Sequence, residues 1–220
     1  MYEQLRQAIP FEEFDYQSLM DSLRGYAYPR KKITSLLHKG EIIRVKKGLY
    51  LFGEGYRRSP YCRELLANLI YGPSCISLEY ALHYHGLTPE RVETITSVTC
   101  GRSRSFDTPV GCFSYRMIPL AAFSIGIDRI ELADGRSFLM AIPEKALADR
   151  IMTERGSGFS TQKGLMSYLN DNLRIDTETL CSLDPDGLSA IAVSYRSRRL
   201  KVLAGLIVRL QSAQQEKSHA

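Results

Sequence analysis

The sequence predicts an α+β protein, because helical and strand-type patterns both occur and occupy separate stretches of the chain. Residues 1–52 have the pattern of three short helices and a β-hairpin. Residues 94–142 fall into short alternating runs separated by turn residues, which predict a small, mostly antiparallel sheet. A helical pattern then extends from residue 143 to about residue 211, with a break at 156–158, so helices close the chain.

Capping residues divide the amino-terminal stretch into three helices. The first covers residues 2–8, and Asp15 can cap the second because its carboxylate accepts from free backbone N–H groups. Pro29 suits the first turn of the third helix, since its fixed φ is helical and its missing N–H has no partner there. Gly40 ends this helix.

A β-hairpin follows the third helix. Residues 42–45 and 49–52 are rich in apolar and aromatic side chains, and Gly48 between them can take the positive φ of a tight turn. Three helices and a hairpin in this order are typical of a winged helix-turn-helix, which we predict as a first domain of residues 1–58.

The remaining chain predicts a larger α+β domain over residues 59–212. It begins with two amphipathic stretches, residues 59–71 and 77–85, which we predict to form a helical pair with Ser77 as the cap of the second helix. The small antiparallel sheet and the carboxy-terminal helices complete this domain. Residues 213–220 are polar and predict a disordered tail.

The composition narrows the class of protein. Of the 220 residues, 44% are hydrophobic and 24% are charged, which excludes disordered and fibrous classes. No apolar run approaches the roughly 20 residues that cross a bilayer, and residues 1–10 lack a signal-peptide core, so we expect a cytoplasmic protein without a membrane partner. The 5 cysteines form no Cys-x-x-Cys pair, which argues against a disulfide framework or a zinc site and predicts buried, reduced thiols.

The positive charge of the chain is concentrated near its amino terminus. The net charge is +5, yet residues 24–58 hold ten basic and two acidic side chains, which leaves the rest of the chain at −3. A basic block inside an otherwise slightly acidic protein is typical of a surface that contacts phosphate.

The third helix has an apolar face and a polar face. At about 100° per residue, Ile33, Leu36 and Leu37 cluster on one side and predict the face toward the core. The opposite side carries cations and short hydroxyls, which contact base edges when a helix lies in the major groove of DNA. The residues predicted to read base edges are Lys31, Thr34, Ser35 and His38.

A second group of residues is predicted to hold phosphates. Its members belong to the third helix, where the start carries a partial positive charge, and to the hairpin, which can lie over the sugar–phosphate backbone as a wing. The set comprises Tyr28, Arg30, Lys32, Lys39, Arg44, Lys46 and Lys47. A solvated surface is the alternative interpretation of the helix alone, and the adjacent basic hairpin favours contact with double-stranded DNA.

Several stretches, taken in order, carry a resemblance to a known family. They are ITSLLHKGEIIRVKKGLYLF at residues 33–52, a Tyr-Gly-Pro turn and a helix ending in His-Gly-Leu within residues 71–87, strand-type runs at 95–102 and 113–118, and IPEKALAD at residues 142–149. Together they resemble AbiEi-type antitoxins of type IV toxin–antitoxin systems, which act in abortive infection.

The resemblance implies a bacterial transcriptional repressor that binds an operator beside its own gene. In that family the repressor regulates its own expression and that of a nucleotidyltransferase toxin, and its action does not require a tight complex with the toxin. We accordingly expect no enzymatic activity, no cofactor and no metal site.

Two other functions are compatible with the sequence. A winged helix can bind protein, so the chain could be an interaction module that docks a partner enzyme. A metal-dependent nuclease is the third hypothesis, because Asp134, Glu144 and Lys145 could form a catalytic set. Against it, Glu144 is predicted to open a helix, and Lys145 to pair with Asp149 at a spacing of four residues.

Two features of the larger domain are each compatible with more than one kind of contact. Five arginines could extend a DNA path or bind an acidic partner: Arg102, Arg104, Arg196, Arg198 and Arg199. The apolar stripe from Leu200 to Leu210 predicts either a core face or a dimer seam, so the oligomeric state is undetermined.

Overall fold

The computed structural model describes residues 2–154 and 161–218, which contain both helices and strands. The first elements are α1 (Tyr2–Ala8), β1 (Glu13–Asp15), α2 (Tyr16–Ser22), α3 (Pro29–His38), β2 (Ile42–Lys46), β3 (Leu49–Phe52), a 3-10 turn (Glu54–Tyr56) and α4 (Arg63–Ile70). The central elements are β4 (Ser74–Ile76), α5 (Leu78–Tyr84), β5 (Ile95–Thr99), β6 (Arg104–Thr108), β7 (Gly111–Met117), α6 (Leu120–Phe123), β8 (Ile127–Glu131) and β9 (Ser137–Ala141). The last are α7 (Pro143–Thr153), α8 (Gln162–Ser167), a π-helical stretch (Tyr168–Asn172), α9 (Thr177–Cys181), α10 (Pro185–Ser194) and α11 (Arg198–Ser218).

A small antiparallel sheet of strand order β1-β3-β2 accompanies the first three helices. The predicted helices and hairpin are confirmed, and Gly48 in the turn has a φ of 91°. Asp15 caps α2 as predicted, because its carboxylate accepts a 2.7 Å hydrogen bond from the N–H of Ser18. The sequence does not predict β1, which pairs Phe14 with Tyr50, since three residues are too few to show an alternating pattern.

The small sheet is buried on both faces. On one face, Phe52 packs with Ile33 of α3 in a first hydrophobic cluster. On the other face, Val45 and Leu51 join a second and larger cluster formed by the rest of the chain. The hairpin therefore lies between the amino-terminal helices and the remainder of the protein.

Two adjacent buried acids, Glu12 and Glu13, connect these parts of the molecule. Glu12 forms a 2.6 Å ion pair with Arg6 of α1 and accepts a 3.1 Å hydrogen bond from the backbone N–H of Arg58. Glu13 forms an ion pair with Arg136, whose side chain is 9% exposed. Both ion pairs are largely removed from water, so Glu13 ties β1, and Glu12 the residue before it, to a specific partner.

A six-stranded mixed sheet of order β6-β7-β5-β4-β9-β8 forms the centre of the larger part. Strands β5 and β7 are parallel, as are β4 and β9, and the other neighbours are antiparallel. The prediction of a small, mostly antiparallel sheet was therefore wrong in size, and two of the five strand pairs are parallel. The two helices predicted before the sheet are confirmed, but they do not follow each other as a pair, because β4 separates α4 from α5 and joins the two halves of the sheet.

A buried polar cluster stands beside this sheet. The carboxylate of Asp149 accepts hydrogen bonds from Lys145, from Ser77 at 2.6 Å and from the hydroxyl of Tyr195. The side chains of Lys145 and Asp149 are 1% and 0% exposed, and their predicted pairing is confirmed. Ser77 occupies the cap position of α5 but makes no capping bond, because its hydroxyl is bound to Asp149.

The last helix contributes to the core. Leu200, Leu203 and Ile207 are fully buried in the second cluster, which assigns the apolar stripe to the core rather than to a dimer seam. Helix α11 continues to Ser218, beyond the start of the predicted tail. The prediction of buried thiols is confirmed for Cys62 and Cys75 and was wrong for Cys112, which is exposed; Cys100 and Cys181 are half-buried. The predicted break at 156–158 lies outside the described residues.

Within those residues, no helix combines the length and the apolar character that a bilayer-spanning segment needs.

Replacing Asp149 by alanine should destabilise the protein strongly. The substitution leaves the Lys145 ammonium buried without its carboxylate, a change that costs about 3–5 kcal/mol of unfolding free energy. Urea unfolding measures this loss, and Asp128→Ala at an exposed strand position should change stability by no more than about 0.5 kcal/mol. A loss below about 1 kcal/mol for Asp149→Ala would show that the cluster is not important for stability.

Replacing Asp15 by alanine should lower the free energy of unfolding by about 0.5–2 kcal/mol at neutral pH. Its hydrogen bond from the N–H of Ser18 lowers the pKa of Asp15, so its contribution is present above the unfolded pKa and is lost as pH falls through the lower, folded value. The difference from wild type should shrink below about pH 4. Asp15→Asn keeps a side-chain oxygen that can accept the same hydrogen bond but does not titrate. At neutral pH this variant should be as stable as the wild type, and the contribution of its cap should not change with pH.

Candidate nucleic-acid interface

Helix α3 presents the two faces that its sequence predicts. Ile33 and Leu36 are buried and Leu37 is half-buried against the first hydrophobic cluster. The opposite face is in contact with solvent, with Lys31 and His38 exposed. The side chains of this face are therefore accessible to an external ligand.

The basic residues of α3 and the hairpin form a group of cations without acidic partners. Within residues 2–154 and 161–218, none of them takes part in an ion pair with Asp or Glu. By contrast, exposed Arg91 and Arg129 elsewhere in the chain pair with Glu93 and Glu131. The group consists of Arg30, Lys31, Lys32, Lys39, Arg44 and Lys47.

Two tyrosines at the start of α3 position lysines of the same helix. The Lys31 ammonium lies 5.0 Å from the ring centroid of Tyr28, which is 69% exposed, and that of Lys32 lies 5.8 Å from the ring of Tyr26. Such cation–π contacts hold the amines near the positive end of the helix. Tyr26 was not among the predicted site residues, although an aromatic residue just before the helix start is a signal that could have found it.

The polar residues predicted to read bases differ in their availability. The Thr34 hydroxyl donates to the carbonyl of Arg30 at 3.2 Å, so its proton is already used within the helix. Ser35 is half-buried, and neither its hydroxyl nor the His38 ring forms a hydrogen bond with another described residue.

Lys46 lies in a different environment from the other predicted phosphate ligands. Its ammonium donates to the carbonyl of Ile70 at the end of α4, and burial lowers the pKa of Lys46. Lys46 pairs with Leu49 in the sheet, which places it on the face toward the second cluster. Lys47 at the turn is exposed. Lys46 thus attaches the hairpin to α4, and Lys47 points to solvent.

The five arginines of the larger part fall in two separate places. Arg102 and Arg104 are exposed at the start of β6, and the Arg104 guanidinium lies 5.5 Å from the ring centroid of Tyr71, the residue after Ile70. Arg104 therefore lies beside the end of α4, where Lys46 of the hairpin is also bound. The other three precede or begin α11: Arg196 and Arg198 are exposed, and Arg199 is half-buried. Arg198 and Arg199, with Lys201, line a cavity of about 480 Å³.

Asp134, Glu144 and Lys145, the possible catalytic set of a nuclease, each contact a different partner. Asp134 bonds to Arg136, which lowers the pKa of Asp134. Glu144 accepts a 2.8 Å hydrogen bond from the N–H of Asp184, and Lys145 is paired in the buried cluster. Over the part of the chain that the structure describes, no group of three or more His, Cys, Asp or Glu side chains is arranged to hold a metal ion.

The chain matches no protein-family model and no curated protein.

Replacing Lys46 by methionine should lower the free energy of unfolding by about 1–2 kcal/mol, because the Ile70 carbonyl loses its charged donor. Lys47→Met removes the same charge from an exposed turn and should change stability by less than about 0.5 kcal/mol. Urea unfolding of both variants distinguishes the two roles. Equal effects of the two substitutions would contradict the assignment of Lys46 to the contact with α4.

Proposed function

We propose that residues 1–58 form a winged helix-turn-helix that binds double-stranded DNA, and that the protein represses transcription from an operator. The observation that carries the proposal is the group of exposed cations on α3 and the hairpin that have no acidic partner among the described residues. A surface of this kind attracts phosphates and releases counterions when it binds them.

The order of elements supports this proposal. Three helices, with a short strand after the first and a hairpin after the third, follow the order that a winged helix-turn-helix would have. In such a fold the helix before the hairpin enters the major groove. On α3, Lys31, Ser35 and His38 would then face base edges, while Arg30 and Tyr28 approach phosphate at the helix start.

The hairpin supplies the second part of the proposed interface. Arg44 pairs with Tyr50, whose ring belongs to the first hydrophobic cluster together with Ile33 of α3. Arg44 therefore lies on the same face of the small sheet as α3, and with Lys47 it would contact the DNA backbone. We assign Lys46 to the contact with α4 and not to phosphate.

The biological role follows from the resemblance to AbiEi-type antitoxins. We propose a cytoplasmic regulator that binds beside its own gene and controls an operon shared with a nucleotidyltransferase toxin. Its partners in this proposal are operator DNA and, functionally, the toxin. Arg104, beside the end of α4, and Arg102, two residues before it, would be secondary contacts to the same DNA.

The double variant Lys31→Ala/Lys47→Ala should bind its own promoter DNA less tightly and with a weaker dependence on salt. Each lost phosphate contact reduces the slope of log affinity against log salt by about 0.9, so the slope should fall by roughly 1.8. Fluorescence anisotropy with a labelled promoter duplex at several salt concentrations measures both quantities.

The matched control is Arg129→Ala/Lys163→Ala, which removes the same charge from exposed positions outside the amino-terminal part. The control should bind as the wild type does. If the variant and the control have the same affinity and the same slope, the proposed interface is wrong.

A further inference from the structure

A cleft lies on one face of the six-stranded sheet, outside the proposed DNA interface. Its volume is about 630 Å³, within the range of about 300–1,000 Å³ that is usual for small-molecule sites. Thr96, Ser114 and Arg116 form its floor, and the start of α5 and the end of α7 form its walls. We call it the β7 cleft.

The floor of the β7 cleft contains two hydrogen-bond donors that have no partner among the described residues. Ser114 and Arg116 are two residues apart on β7 and so project from the same face of the sheet. Neither side chain forms a hydrogen bond or an ion pair with another residue in the ranges 2–154 and 161–218. Thr96 differs, because its hydroxyl donates to the carbonyl of Ser77 at 2.7 Å.

The cation on the wall of the cleft is already paired with two acids. Arg150 pairs with Glu79 at 3.0 Å and also with Glu154. Arg116 is the lining cation that forms no ion pair with an acid among the described residues. Because the wall carries two acids and one cation, the cleft favours a ligand that presents a single anionic group to Arg116.

Backbone strain marks the edge of the same cleft. Leu78 is buried and has a φ of 61°, a conformation that costs energy for a side chain of this kind. It is held there because Ser77 donates its hydroxyl to Asp149 at 2.6 Å and its N–H to the carbonyl of Thr96 at 3.0 Å. These bonds fix the chain just before Glu79, so the wall is in place before a ligand binds.

From this arrangement we infer that the β7 cleft binds a small molecule through one anionic oxygen group, a carboxylate or a phosphate, held by Arg116 and Ser114. Guanidinium and hydroxyl donors recognise both groups through charge-assisted hydrogen bonds. The larger part of the protein would then bind a small molecule at this site. This inference does not depend on the proposed binding of DNA.

The test is a titration of the full chain with inorganic phosphate and, separately, with acetate, followed by amide chemical shifts. One of the two anions should shift the amides of Thr96, Ser114 and Arg116 in a saturable way, which also identifies the class of anionic group. Arg116→Gln should weaken this binding at least about tenfold, since the guanidinium supplies the charged hydrogen bond. Arg129→Gln on β8, at the other edge of the sheet, should bind as the wild type does.

The inference is overturned if neither anion shifts these amides, if only α3 and hairpin amides shift, or if Arg116→Gln keeps its affinity. Thermal unfolding of Arg116→Gln should match that of the wild type, because the side chain is exposed. Promoter affinity of Arg116→Gln and anion binding by Lys31→Ala/Lys47→Ala should both be unchanged. These two measurements separate a failure of this site from a failure of the proposed DNA interface.

Discussion

The pair of buried carboxylates at Glu12 and Glu13 determines how the amino-terminal helices are joined to the rest of the protein. A buried charge costs free energy unless it is paired, so the fold is stable only when each acid lies close to its cation. Glu12 holds Arg6 and the chain at Arg58, and Glu13 holds Arg136 from the turn between β8 and β9. This constraint orients the small sheet, and with it the face of α3 that carries the basic residues.

Burial of the small sheet on both faces divides the lysines of the hairpin between two roles. Lys46 lies on the face toward the second cluster, where its ammonium satisfies a carbonyl at the end of α4 that has no partner within the helix. Lys47, one residue later, is at the exposed turn. The same basic sequence thus contributes both to the attachment of the hairpin and to the surface proposed to contact DNA.

The buried cluster around Asp149 has a comparable role in the larger part. It links the segment before α5, helix α7 and the end of α10 through Ser77, Lys145 and Tyr195. Leu78 and Arg150, the chain neighbours of Ser77 and Asp149, line the β7 cleft. The cluster therefore stabilises the core and also fixes two walls of the cleft.

The sequence by itself determined the three amino-terminal helices, the hairpin, the two faces of α3 and the pairing of Lys145 with Asp149. Each depends on caps, turns or helical spacing within about four residues. Only the tertiary structure decided the places of β1 and β4, the attachment of Lys46 and the donors of the β7 cleft. These short strands and contacts join residues far apart in the chain, and periodicity carries no information about such pairs.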